Sequence, residues 1–323
     1  MFHERTTTAA KGKWKGILIE LGLPAACLID RHGPCPLCGS KDNFRWDNSE
    51  GSGSYICTCG SGHGMKLATE FTGHSFPELA PRIDAMLGNI KPETGPQRPT
   101  LSEDDRKRIL RATVAETRPV EEGDLVHRYL ESRGLGERVY PPALRFGPAM
   151  RDGEGGVRPC MVALVGTHGN CDDRGRQKYD TLHRTFLRAD GLAKAEMTAP
   201  RKLMPGELPP GACVMLSHWT GEGPIGIAEG IETAMAASAM FDIPVWAAIN
   251  STMLSKWTPP AGADEVVIFG DHDPKFGGQA AANTLAHRIC TTKATRDIPV
   301  RVLIPPLMGR DWNDELLTKR GAA

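Results

Sequence analysis

Short apolar runs punctuate the last third of the chain and lead into acids. Ile225-Gly226-Ile227-Ala228 runs into Glu229-Gly230, and Val266-Val267-Ile268-Phe269-Gly270 runs into Asp271-His272-Asp273. A third acidic cluster follows at Gly309-Arg310-Asp311-Trp312-Asn313-Asp314. Continuous apolar runs of this length, bounded by Gly and Asp, read as buried strands. The pattern predicts strands over 225–229, 244–249, 265–270 and 299–304, with an Ala/Met-rich helix over 231–241. A second helix is predicted over 279–290 and a short one near 313–318. Alternating strand–helix–strand units imply a parallel sheet with right-handed crossovers. A buried strand that ends in a carboxylate delivers it to the C-terminal edge, where open α/β sheets bind ligands.

Upstream the rhythm is different. Leu101-Ser102-Glu103-Asp104-Asp105 reads as a capped helix start, with Ile109, Leu110 and Val114 at helical spacing. A second helix runs through Leu125 to Ser132 and stops at Gly134. From Val139 to Leu216, β-rich runs (161–165, 181–187, 213–216) alternate with Gly/Pro/Asp turns, which is mixed α+β material. Residues 31–73 are rich in Gly, Ser and Cys and read as a small loop-rich unit. Residues 89–102 have the Pro/Gly/polar composition of a linker. The expectation is therefore a multidomain α/β protein: an N-terminal zinc-binding domain (1–88), a linker (89–102), a central basic α+β subdomain (103–221) and a C-terminal parallel-sheet domain (222–323).

With 323 residues, 40% hydrophobic and 24% charged, the chain has ordinary globular composition. No apolar run approaches the roughly 18 residues of a membrane-spanning helix, and the N-terminus lacks a signal-peptide core. Nine cysteines, two pairs of them closely spaced, suit a reducing compartment. A cytoplasmic protein without membrane partners is expected. There is no G-x-x-x-x-G-K-[ST] loop, which excludes an ordinary ATP-driven motor.

The formal net charge of zero hides an uneven distribution. Arg174 to Lys202 holds eight Lys/Arg against three acids, whereas Glu222 to Cys290 holds eight acids against three bases. Carboxylates converging on a sheet edge repel one another unless cations sit between them, and hard divalent cations prefer oxygen ligands. The acidic region thus reads as a Mg²⁺ or Mn²⁺ site beside a basic surface, suited to phosphate chemistry.

Cys35-Pro36-Leu37-Cys38-Gly39 has the form of a zinc knuckle, with Cys57-Thr58-Cys59-Gly60 as the second pair of a structural zinc site. The second pair is one residue shorter than C-x-x-C, so His63 stands as an alternative ligand. Between the pairs, Phe44, Arg45, Trp46 and Tyr55 read either as a surface that stacks on single-stranded nucleic acid or as the mini-core of a small domain.

These motifs resemble the TOPRIM, zinc-ribbon primases of bacteria, phages and mobile elements. The resemblance rests on Glu229-Gly230, Asp271-x-Asp273 and Asp311-Trp312-Asn313-Asp314, and on C-P-x-C-G followed by G-S-Y-I-C-x-C-G. Tyr129-Leu130-Glu131-Ser132-Arg133-Gly134-Leu135 and the segment from His183-Arg184-Thr185-Phe186-Leu187 to Lys202-Leu203 extend it over residues 33 to 318. It implies a metal-dependent nucleotidyltransferase that synthesises short RNA primers on single-stranded DNA during replication of a phage, plasmid or other mobile element. Glu229, Asp271 and Asp273 are the expected catalytic metal ligands, with Glu229 either ligating metal or handling a proton. Asp311 and Asp314 are expected as second-metal or outer ligands, Asp311 having the alternative role of helix N-cap.

Arg184, Lys194 and Lys202 match the family's nucleotide-handling segment, while Arg188 and Arg201 are either contributors or solvated surface charges. Glu232 faces the site or solvent, Lys275 meets the triphosphate or sits on a loop, and His272 is read as an exposed turn residue. Expected partners are the single-stranded template, nucleoside triphosphates and a separate replicative helicase, no motor domain being present within the 323 residues. Two other readings stay open. One is a TOPRIM nuclease, opposed by the zinc ribbon and the basic middle region. The other is a catalytically silent single-stranded DNA-binding module that recruits replication proteins, opposed by the full set of carboxylates.

Overall fold

The computed structural model describes residues 2–92, 102–137, 139–172, 177–206 and 208–321. The expected linker falls largely on 93–101, and the basic residues Arg174 and Arg176 also lie outside the described residues. The chain divides into two compact units, Met1–Thr100 and Leu101–Ala323.

In the first unit, helices α1 (Phe2–Ala9) and α2 (Trp14–Glu20) precede a small antiparallel sheet of β1 (Arg45–Trp46), β2 (Tyr55–Cys57) and β3 (Gly60–Gly62). Helices α3 (Gly64–Thr72) and α4 (Phe76–Met86) follow. The flanking helices were not expected from the sequence, although α4 carries a legible start. Ser75 and Glu78 form a capping box with a proline in the first turn. The helices supply Trp14, Ile17, Leu18, Leu67, Leu79 and Ile83 to a core that also takes Phe44, Trp46 and Tyr55 from the ribbon. This decides the reading of the ribbon aromatics. Trp46 and Tyr55 are each 3% exposed, and the Phe44 and Tyr55 rings stack at 5.6 Å. Arg45 is paired with Asp30 at 2.7 Å. Trp46 therefore has no free ring face for a base: a domain this small needs its aromatics inside.

The second unit opens with α5 (Glu103–Ala115), whose Ser102 cap accepts the Asp105 N–H at 3.1 Å. Strand β4 (Arg118–Pro119) and helix α6 (Leu125–Ser132) lead to β5 (Leu144–Arg151), β6 (Val157–Val165), β7 (Thr181–Phe186) and β8 (Arg201–Leu203). These strands form a five-stranded antiparallel sheet in the order β4-β5-β6-β7-β8. The β-run expected over 213–216 is present only as isolated bridges, Gly166 to Cys213 and Val214 to Ala247.

Then come β9 (Pro224–Ala228), α7 (Ile231–Phe241), β10 (Val245–Ala247), α8 (Ser251–Lys256), β11 (Glu265–Phe269), α9 (Gly277–Thr291), β12 (Val300–Leu303) and α10 (Trp312–Gly321). The four strands are parallel, in the order β10-β9-β11-β12. Residues 225–228 and 266–269 are buried on both faces, as the helix layers of a parallel sheet require. Helix α8, unannounced by the sequence pattern, is held by Asn250, whose side chain accepts the Met253 N–H at 2.8 Å.

One face of the antiparallel sheet (Met161, Ala163, Val165) shares a continuous core with the parallel sheet. The opposite face (Cys160, Val162, Leu182, Phe186) packs with Leu110 of α5. Helix α10 is anchored through Trp312, which lies edge-on to Phe241 and Phe269 at 5.2 and 5.7 Å. Burying a ring of this size contributes on the order of 2–3 kcal/mol. That anchor fixes the position of the acids at the start of α10.

Candidate active site and zinc centre

In the first unit the sulphurs of Cys35, Cys38, Cys57 and Cys59 lie within 4.8 Å of one another, the one such group of potential metal ligands among the described residues. Cys35 and Cys59 are 3.7 Å apart and Cys38 and Cys57 3.9 Å apart. A tetrahedral zinc with bonds of about 2.3 Å places its sulphurs about 3.8 Å apart, which these two spacings match. Gly39 takes φ +70° at the knuckle, where a side chain would be strained. His63 stands apart from the four thiols, with Nδ1 3.3 Å from Ser52 Oγ at the start of α3. The alternative ligand is not needed.

In the second unit, β9 and β11 are neighbours, so Glu229 and Asp271 emerge side by side at the C-terminal edge. Burial raises the Glu229 carboxyl above its usual range, and the charge of Asp273 adds to this. Burial pushes Asp271 up to about 7, with Glu229, Asp311 and Asp273 contributing in that order. Its Oδ1 is buried with no hydrogen-bond partner. Burial also raises Asp311. The charges of Glu229, Asp311 and Asp273 thus all bear on Asp271, which keeps an unused oxygen. A divalent cation would relieve both conditions. No three carboxylates among the described residues crowd as the thiolates do, which suits a hard ion that keeps several waters and takes phosphate oxygens as further ligands.

Local backbone chemistry sets each acid. Asp273 Oδ2 accepts the Gly278 N–H at 2.7 Å, placing its carboxylate at the positive end of α9. A Cβ at Gly278 would sit 2.6 Å from the Asp271 backbone oxygen, so only glycine lets α9 begin this close beneath the loop. His272 is turned away, its Nδ1 2.8 Å from Pro305 O, and its backbone pairs with Arg310 O and Gly309 N. Asp311 and Asp314 cap α10 reciprocally: Asp311 Oδ1 accepts the Asp314 N–H at 2.9 Å and Asp314 Oδ2 accepts the Asp311 N–H at 3.1 Å. Asp314 thus has one carboxylate oxygen in the cap, and Asp311 combines capping with a place in the acidic cluster. Ile249 and Phe276, on loops beside the site, have φ +80° and +60°. Such conformations cost about 1–2 kcal/mol in residues with side chains.

The cations divide by sheet face. On β7 and β8, Thr185 pairs with Arg201, Arg184 with Lys202 and His183 with Leu203. Because successive side chains alternate, Arg201 shares the face of His183 and Thr185, which looks toward the parallel sheet. Its guanidinium offsets part of the rise at both Glu229 and Asp271. Arg184 and Lys202 are on the other face. Arg184 lies 5.2 Å over the Phe186 ring and donates to Arg151 O. Lys202 donates to Asp152 O at 2.7 Å and pairs with Glu154 at 3.3 Å. Two of the three expected nucleotide-handling residues are therefore turned away from the acids, and Arg201, left between contributor and surface charge by sequence, is the one beside them. Lys194 is at the site, 2.9 Å from Glu232. Glu232 is buried, and Lys275 is exposed on the loop after Asp273.

Residues 224–323 match the Toprim domain family, residues 30–65 the zinc-binding domain of primase-helicase, and residues 104–215 a domain family of unknown function (DUF7146). Among solved structures, the primase fragment of the bacteriophage T7 primase-helicase protein aligns over 90% of this chain and 96% of that one, at 16% identity and a TM-score of 0.40. The zinc-binding and RNA polymerase domains of Aquifex aeolicus primase align over 97% and 82%, at 13% identity and 0.40. A DnaG primase catalytic domain bound to single-stranded DNA aligns over 69% and 72%, at 15% identity and 0.34. The chain thus joins a zinc-binding domain of the primase-helicase kind, over residues 30–65, to a Toprim domain over residues 224–323. Among the described residues no helix is long and apolar enough to cross a membrane.

Proposed function

We propose that this protein synthesises short RNA primers on single-stranded DNA for replication of a phage, plasmid or other mobile element, working with a separate replicative helicase. The observation that carries the reading is the meeting of four acids, Glu229, Asp271, Asp273 and Asp311, with Lys194 and Arg201 at one edge of a Toprim sheet. Primer synthesis joins a 3′-hydroxyl to the α-phosphate of a nucleoside triphosphate and releases pyrophosphate. Glu229, Asp271, Asp273 and Asp311 would hold Mg²⁺ or Mn²⁺, which when bound neutralises phosphate charge and makes the attacking hydroxyl more acidic. Lys194, held by Glu232, and the exposed Arg201 supply positive charge for the triphosphate oxygens. Asp314 keeps Asp311 in place through the helix cap. Arg184 and Lys202, on the other face, hold the Asp152 loop. Lys275, exposed beside Asp273, has room to reach a phosphate. The zinc ribbon reads the template.

The test is primer synthesis by the zinc-loaded protein with four ribonucleotides, Mg²⁺ and a randomised single-stranded template library. Short oligoribonucleotides that disappear in Asp271→Ala are expected. DNA cleavage without primer synthesis would overturn the proposal in favour of a nuclease.

A further inference from the structure

The acids around the Toprim edge are not electrostatically alike. Glu229, Asp271 and Asp311 are raised by burial and by neighbouring carboxylates, whereas Glu232, one helical turn beyond Glu229, already has its counter-charge. Lys194 Nζ lies 2.9 Å from Glu232 Oε1, and the Tyr129 hydroxyl donates to the same oxygen. Burial would push this carboxyl up, yet the Lys194 ammonium and the Tyr129 hydroxyl outweigh it and hold it at about 2. A carboxylate neutralised in this way has little to offer a metal ion. It has much to offer a lysine. The Lys194 side chain is 26% exposed, so an ammonium with three donors spends one on Glu232 and keeps others free.

The surroundings say where that ammonium sits. Both Lys194 and Arg201 act on the buried His183 ring, and Arg201 acts on Glu229 and Asp271 in turn. Glu232 also acts on Asp311. Lys194 is thus held at the border of the acidic cluster. A flexible four-carbon side chain would otherwise lose considerable rotamer freedom on meeting a phosphate, and would be drawn onto the unpaired carboxylates.

We infer that Tyr129 and Glu232 are positioning residues: they form a buried pair, from α6 and α7, that holds Lys194 out of the metal site and presents its ammonium to the incoming triphosphate. This rests on the primase reading for the identity of the anion. Tyr129 is fully buried, and its place is fixed independently by the packing of α6 and by the Arg133 guanidinium 5.9 Å from its ring.

The experiment compares wild type, Tyr129→Phe, Lys194→Ala and the double variant in two assays. One is steady-state primer synthesis at saturating template and Mg²⁺. The other is equilibrium binding of a fluorescent nucleoside triphosphate with Mg²⁺. Tyr129→Phe should raise KM and Kd about fivefold, the equivalent of one ordinary hydrogen bond, leaving kcat within about twofold, with the protein still folded at the assay temperature by thermal melt. In the Lys194→Ala background the same change should do nothing further, because the group being positioned is gone. Glu232→Gln, which keeps the side-chain shape, should reproduce the rise in KM. Unchanged KM and Kd in Tyr129→Phe, an effect confined to kcat, or full additivity with Lys194→Ala would each overturn the inference. A wild-type protein that binds triphosphate but makes no primer would sink the primase reading alone, since the binding series still decides the role of Tyr129.

Discussion

Asp271→Asn should stabilise the protein in the absence of magnesium while abolishing its activity. The wild-type carboxyl moves from 3.8 in an unstructured chain to about 7 in the fold. The unfolded state therefore ionises first. Between about pH 4 and pH 7 it gains free energy that the folded state cannot match, so stability falls across that window and levels off above it. At about 1.36 kcal/mol per pKa unit the full penalty is about 4 kcal/mol, and water entry and relaxation bring the measurable part to roughly 2 kcal/mol. Asparagine keeps the shape, carries no charge and leaves no hydrogen bond unmade at Oδ1, which has none.

The assay is urea unfolding of the full chain followed by tryptophan fluorescence, at pH 4, 6 and 8. Magnesium is omitted and no chelator is added, because a chelator would strip the zinc. The variant should match wild type at pH 4 and exceed it by roughly 2 kcal/mol at pH 8. Millimolar Mg²⁺ should then raise wild type more than the variant, by mass action on the folded state. A variant less stable than wild type at pH 8, or a gain that does not change with pH, would refute the electrostatic account of this site.

Three further outcomes follow from the geometry. Arg201→Ala should lower primer synthesis at least about tenfold, the loss expected for a charge-assisted contact, whereas Lys202→Ala should mainly destabilise the Asp152 loop by about 1 kcal/mol; kinetics and thermal melts on the pair separate the two. Asp314→Ala removes one half of the α10 cap, so a loss of about 1 kcal/mol in unfolding free energy is expected, with primer synthesis reduced through displacement of Asp311. Replacing Cys59 by Ser should cut zinc content measured by atomic absorption, and proteolysis should then enter the first unit, because a domain this small relies on the metal for stability.

The chain's own pattern determined much of this protein. The apolar runs at 225–228 and 266–269, bounded by Gly and acids, read as buried strands and are strands in the fold, and the helix expected over 231–241 is observed at Ile231–Phe241. Carboxylates at those strand ends follow directly, since sequence position along a strand sets which edge a residue reaches. The cysteine spacing likewise carried the zinc site, because ligands close in sequence are close in space. Other features depended on partners far away in the chain. Whether Trp46 faces solvent or core was settled by helices outside the ribbon. Helix α8 is too short for periodicity to reveal it. Most consequential is the register of β7 against β8: Arg201 and Lys202 are adjacent in sequence and indistinguishable by composition, yet alternation sends one toward the acids and the other away. Only long-range pairing fixes that choice, as it does the meeting of Tyr129, Lys194 and Glu232 from three separate segments.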